Sequence, residues 1–251
     1  MLTNILVPLD GSKLAETALS PAVSLASTLG APITFLHIIE KDAPQSIHAD
    51  HHISKVDEAE NYLNNIVTGL NASNLKITNH VHAAEVKDVA SSIVHHATEE
   101  YEQDLIVLCA HGSGGIRDVV FGNIAQQVIA LGQTPVLLLQ PQTTETRPFT
   151  IKKIFVPLDS ESKHDISLNF AQELAKAYNS EIYFLTVVPT FNSLTGHDAA
   201  MSTLLPSTSI ALFDILEEEA KEHLQIHLSE FIDAGYKVKA EIGRGDPAEV
   251  I

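Results

Sequence analysis

Apolar positions in the first 140 residues follow two alternating periods. Ile5-Leu-Val-Pro-Leu9, ending in Asp10, is a short continuous apolar run, as in a strand buried on both faces. Gly11-Ser12 turns from it into a helical stripe, Ala15, Ala18, Leu19, Ala22, Ala26 and Leu29, closed by Gly30. Pro21 interrupts that stripe; it has no N–H and crowds the preceding turn, which predicts a kink or a late helix start. Ile33 to Ile39 reads as a second strand and residues 40–52 as a loop. Ile53, Val56, Ala59, Leu63, Ile66 and Leu70 mark a second helix, stopped by Asn71-Ala-Ser-Asn74. A third strand over 76–83, a third helix from Asp88 to Tyr101 and a continuous apolar strand, Leu105 to Leu108, follow. After a glycine-rich loop a helix opens at Gly122-Asn123, with Ile124, Ala125, Val128, Ile129 and Leu131 on its apolar face. Gly132 ends that helix and Pro135 launches a last strand, Val136 to Leu139. Strands alternating with helices predict an α/β domain with a five-stranded parallel sheet and right-handed crossovers.

The pattern then repeats. Pro141 to Thr150 is polar and reads as a linker. Ile154-Phe-Val-Pro-Leu-Asp159 restates Ile5 to Asp10 at an offset of 149 residues, and Ile182 to Val188 restates Ile33 to Ile39 at the same offset. Two matches at one offset indicate an internal duplication. The expected organisation is a first domain over 1–140, a linker over 141–150 and a second domain over 151–251. In the second repeat residues 189–213 form a longer insertion rich in Ser, Thr and Leu, followed by a helix carrying Leu216, Ala220, Leu224 and Leu228. A strand near Val238 to Ile242 leads into Gly243-Arg-Gly-Asp-Pro247, the entry to a third helix. Aligning Ile251 with Ile93 leaves no counterpart to residues 94–140, so the second repeat is expected to be incomplete, without a glycine loop or its last two strands.

Composition narrows the choice of partner. With 32 acids against 15 bases the net charge is −17, which argues against nucleic acid or an anionic membrane. A bound phosphate would have to be held by local N–H groups rather than by a long-range field. No apolar run approaches the roughly 18 residues of a membrane span, and the N-terminus lacks a basic signal region. A single cysteine excludes an internal disulfide and makes the cytoplasm the default compartment.

The candidate chemistry lies between Asp104 and Gln140. Strand, loop with Gly112, Gly114 and Gly115, helix start and strand is how α/β sheets build an anion site: glycines let the backbone approach the ligand and the free N–H groups of the helix face it. The loop is not a P-loop, since no Gly-Lys-Ser/Thr follows, nor the dinucleotide G-x-G-x-x-G. It resembles the nucleotide loop of the ATP-binding universal stress proteins, Gly, two residues, Gly, nine residues, Gly, then Ser or Thr. Here Cys109 stands at the first position, Gly112 and Gly122 match at the intact spacing, and Asn123 stands at the hydroxyl position. Val7-Pro-Leu-Asp10, Phe35-Leu-His37-Ile38, Val156-Pro-Leu-Asp159 and Gly245-Asp-Pro-Ala248 extend the resemblance over both repeats.

The resemblance implies tandem Rossmann-like domains of the adenine nucleotide α-hydrolase-like type. It also implies an ATP-, ADP- or AMP-binding sensor or regulator of the stress response, with or without Mg2+. Nucleotide-binding residues carried over from it are Pro8, Leu9, Asp10, Ile38, Cys109, Gly112, Gly122, Asn123 and Ile124. Asp10 is placed at the ribose and adenine, Ile38 at adenine through its backbone, and the loop positions at the phosphates. A homodimer joined through the edge strand Val136–Leu139 is the implied assembly. The alternative is a nucleotide-independent interaction module acting through dimer surfaces, favoured by Cys109 and Asn123. An enzyme of the related hydrolase group is disfavoured, since no catalytic constellation is visible; at most slow ATP hydrolysis is expected. Thirteen histidines invite a metal reading, with His48, Asp50, His51 and His52 in one loop and His80 and His82 on one strand face. Neither of these two groups shows a firm zinc spacing such as His-Glu-x-x-His, and no metal site is expected. Cys109 is read as a buried, inert thiol unless the helix start lowers its pKa.

Overall fold

The computed structural model describes residues 2–43, 46–47, 50–70, 74–100, 104–110, 123–140, 149–159, 161 and 165–251. Contacts divide the chain into two compact units, Met1–Thr150 and Ile151–Ile251.

The first unit runs β1 (Ile5–Pro8), α1 (Lys13–Glu16), α2 (Leu19–Leu29), β2 (Ile33–Glu40), β3 (Ser46–Ile47), β4 (Asp50–His51), α3 (Val56–Gly69) and β5 (Ile77–Val86). Then come α4 (Val89–His95) with a π-helical turn His96–Glu100, β6 (Leu105–Cys109), α5 (Asn123–Leu131) and β7 (Val136–Leu139). The five long strands form one sheet in the order β5-β2-β1-β6-β7, every pair parallel. From β1 the chain builds β2 and β5 on one side, then crosses to β6 and β7 on the other. That reversal opens a crevice at the carboxyl ends of the strands, where open α/β sheets bind ligands. The sheet core is apolar on both faces, as the continuous runs require: Ile5, Leu6, Val7, Ile33 and Phe35 are fully buried. On one face Leu6, Leu36, Ile38, Ile106 and Leu108 pack under Ala90 and Ile93 of α4 and Ala125 and Val128 of α5. On the other, Ile39 packs with Ile53, which precedes α3, and with Ala59 of α3.

Several elements differ from the sequence expectation for local reasons. The single helix expected up to Leu29 is two, because Ser12 caps a short α1 through Ala15 N–H (3.1 Å) and α2 starts afresh at Leu19. Pro21 thereby falls in the first turn of α2, where a backbone N–H has no intrahelical partner to lose. The loop over 40–52 contains the β3–β4 antiparallel pair. Helix α4 gives way at His96 to the π-helical turn. Ile129 and Leu131, expected on the buried face of α5, are 50% and 56% exposed, because a nine-residue helix turns one narrow face to the sheet and Ala125 and Val128 fill it.

The second unit contains β8 (Lys153–Pro157), α6 (Ile166–Tyr178), β9 (Glu181–Val188), a 3-10 turn Phe191–Ser193, α7 (Gly196–Leu204), α8 (Pro206–Asp233), β10 (Lys237–Arg244) and α9 (Pro247–Val250). Its sheet is β10-β9-β8, parallel throughout, the counterpart of β5-β2-β1. The duplication extends to individual hydrogen bonds. Leu9 N–H donates to Leu36 O and Leu158 N–H to Leu185 O, both at 2.8 Å, while Ile5 pairs with Ile33 as Ile154 pairs with Ile182. Gly30 and Asn179 each end a helix in the left-handed conformation, at φ 70° and 54°. The 189–213 insertion is largely helical, since Pro206 serves as the first residue of α8. Among the described residues no helix is long and apolar enough to cross a membrane.

Candidate functional site

A cavity of about 320 Å3 lies at the carboxyl ends of β1, β2 and β6, roofed by α1, α4 and the start of α5. Its walls are mainly apolar: Pro8, Leu9, Leu14, Ala15, Leu36, Ile38, Val89, Ile93, Leu108, Ile124 and Ala125. The polar lining is Asp10, His37, Glu40, His52 and Cys109, and no Lys or Arg lines it among the described residues.

Asp10 is aimed by the turn that follows β1. Its Oδ1 accepts the Ser12 N–H at 2.9 Å, an Asx-type turn that needs Gly11 at φ +89°. A Cβ on Gly11 would lie 2.7 Å from Ile53 Cδ1, so the left-handed geometry and the close approach both select glycine. Asp159 repeats the arrangement, its Oδ1 accepting the Glu161 N–H at 2.9 Å. Lys13 N–H donates to Asp50 Oδ2 at 2.8 Å and ties the β3–β4 pair to this turn.

His37 is a strut beneath the cavity floor. Its Nδ1 is 2.7 Å from Leu9 O and its Nε2 3.1 Å from Ile53 O. Burial holds its pKa below the usual histidine value, against the pull of the two carbonyls, so the ring is neutral and carries one N–H. The shorter contact assigns that proton to Nδ1, which donates to Leu9 O. The thiol of Cys109 is pushed up by burial and further by Asp10, against the Thr17 hydroxyl 3.1 Å away. It is therefore a neutral thiol, and the helix start does not make it a thiolate.

Of the residues expected at the site, Pro8, Leu9, Asp10, Ile38, Cys109 and Ile124 all line this one cavity. Asn123 is the first residue of α5, next to it. Gly112 and Gly122 lie outside the described residues. Leu14, Ala15, Val89 and Ile93 complete the walls; Ala15 was read as part of a helical stripe and the other three were not singled out, since only the crossing of α1 and α4 over the strand ends turns them toward a cavity. The histidine loop does not converge: His51 Nε2 faces Glu58 at 3.1 Å, His52 Nε2 faces Glu40 at 3.8 Å, and His48 lies outside the described residues. His80 and His82 are joined by His96, with His96 Nε2 3.0 Å from His82 Nδ1.

The universal stress protein family model matches residues 1–140 and 150–251, and the chain belongs to that family. Universal stress protein YxiE of Bacillus subtilis (strain 168) is 28% identical over 152 residues, spanning 56% of this chain and 100% of the relative. A universal stress protein crystal structure from Archaeoglobus fulgidus DSM 4304 aligns with a TM-score of 0.66 at 16% identity, covering 99% of this chain and 79% of the other. A putative universal stress protein from Pseudomonas aeruginosa UCBPP-PA14 aligns with a TM-score of 0.62 at 16% identity, covering 96% and 74%. At these identities the structural likeness establishes the fold.

Proposed function

We propose that the first unit binds an adenine nucleotide and acts as a nucleotide-dependent sensor or regulator in the cytoplasmic stress response. The observation that carries this reading is the apolar cavity at the strand ends, which gathers Asp10, Ile38 and the start of α5 around one space. Its 320 Å3 sits at the lower end of the roughly 300–1,000 Å3 typical of ligand pockets, enough for a nucleoside rather than a dinucleotide. Ile38, Ile93 and Ile124 offer flat apolar walls for a base. The rung from Leu9 N–H to Leu36 O is the last between β1 and β2 among the described residues. Ile38, which by strand alternation points its backbone the same way as Leu36, is left to meet the edge of adenine. One oxygen of Asp10 is engaged with Ser12, and the other is available for a ribose hydroxyl. The phosphates would lie at the N–H groups opening α5. Among the described lining residues there is no Lys or Arg, so the described part of the site would meet a phosphate through those N–H groups.

We also propose that β7, an edge of the first sheet, pairs with its counterpart in a second chain. Purified protein, heat-denatured and assayed by mass spectrometry, is expected to release an adenine nucleotide. A nucleotide-free preparation whose melting does not shift with millimolar ATP, ADP or AMP would reject the reading.

A further inference from the structure

In the second unit, three polar side chains distant in sequence converge on one point. Asp165 stands at the N-terminus of α6, and His223 and His227 lie one turn apart on α8. His227 Nε2 is 3.1 Å from Asp165 Oδ2, His223 Nε2 is 3.3 Å from the same oxygen, and the two Nε2 atoms are 3.3 Å apart. All three side chains are mostly shielded, with 16%, 11% and 12% of their surface exposed. We propose that Asp165, His223 and His227 form a binding site for a divalent transition cation, Zn2+ foremost.

The placement of protons points to a cation. His227 Nδ1 faces the Glu230 carboxylate at 3.4 Å, a contact that takes a proton on Nδ1. With that proton on Nδ1, Nε2 presents a lone pair toward Asp165 Oδ2 and His223 Nε2. A cation between the three atoms would satisfy all of them at once. An Nδ1–H given to a carboxylate, with Nε2 free for the metal, is how a ligating histidine is oriented. Asp165 also forgoes the bond usual at its position. An aspartate at a helix N-cap accepts its own helix's N–H groups, and this one makes no such bond. Its Oδ1 and the Nδ1 of His223 are buried without a hydrogen-bond partner among the described residues.

The spacing of the three atoms selects the ion. Metal–ligand bonds of about 2.0–2.1 Å in a tetrahedron place ligand atoms about 3.3–3.4 Å apart. Three ligands on one face of an octahedral ion at similar bond lengths stand about 3.0 Å apart. The observed triangle, with edges of 3.1, 3.3 and 3.3 Å, lies closer to the tetrahedron. Two imidazole nitrogens and one carboxylate oxygen are a borderline set that suits Zn2+, and three protein ligands leave a fourth position for water. The ion would brace the start of α6 against α8.

The test uses the full chain stripped with EDTA and dialysed, titrated with Zn2+ against a chromogenic chelator and with Co2+ for its visible ligand-field bands. The expected result is one Zn2+ per chain at this site, tetrahedral Co2+ bands, and a higher melting temperature with Zn2+. Asp165→Asn and His223→Gln should each lose that equivalent, and the more exposed Glu230→Gln should weaken it about tenfold while leaving the fold intact. His82→Gln should keep it, which separates this site from the His80, His82 and His96 group. Absence of Zn2+ binding by the stripped wild type would overturn the proposal and leave an imidazolium–carboxylate pair. Full-affinity binding in all three site variants would overturn it as well.

Discussion

At the scale of single residues, His37 connects folding to the cavity. Its neutral ring holds the end of β1 through Leu9 O, so His37→Ala leaves the Leu9 carbonyl without its donor and opens a buried gap beside Ile53 O. A loss of about 1–3 kcal/mol of stability at pH 7.5 is expected. The sign of the pH dependence follows from the lowered folded pKa. The contribution is present above the unfolded value of 6.5 and is lost as pH falls from there toward the folded value, because the unfolded chain binds the proton first. Thermal melts of wild type and His37→Ala should therefore draw together below pH 6.5; a gap that widens would mean an imidazolium donating to both carbonyls. Asp10 was legible because it ends an apolar run at a strand end, where this architecture places ligands, whereas Ile38 and Cys109 were expected there only through the resemblance to the family. The role of His37 was not legible, since it depends on a bond across two strands to Leu9. The triangle of Asp165, His223 and His227 was half legible: His-x-x-x-His on a helix is a ligand spacing, but nothing in sequence joins it to a residue 58 positions before His223.

At the scale of elements, the apolar runs of β1, β2 and β6 became strands in the expected places, because continuous burial leaves little choice of face, while the third strand, expected over 76–83, runs Ile77–Val86 and is only partly buried. The helices were harder to read. Where a helix restarts at Leu19, turns π-helical at His96 or exposes Ile129 depends on caps and on neighbours above the sheet. The short strand β7 is apolar, half-buried and at one end of the sheet order. An edge of this kind presents unpaired N–H and C=O groups that favour pairing with another chain. Light scattering at micromolar concentration should show a dimer, and Leu138→Pro, which removes a donor and bends the edge, should give a monomer that retains its circular dichroism. A wild-type monomer, or a dimer indifferent to the proline, would reject β7 as the interface.

At the scale of the whole molecule, the duplication is the main fact, and it was legible because two segments matched at one offset. The second unit reproduces the first down to the Asp159–Glu161 turn and the Leu158–Leu185 rung, yet its sheet has three strands where the first has five. In the first unit the cavity needs β6 and α5 for its far wall, through Leu108, Cys109, Ile124 and Ala125. Among the described residues the second sheet has no counterpart of β6, and no cavity like that of the first unit is built around Asp159 by the described residues. This asymmetry makes the stoichiometry of nucleotide binding the sharpest discriminator. Titration calorimetry of the nucleotide-free chain with ATP and Mg2+ should give one site per chain, abolished by Gly122→Val, whose side chain would block approach of the backbone to the phosphates. Two equivalent sites per chain, or one site indifferent to Gly122→Val, would contradict a single nucleotide site built by the first unit.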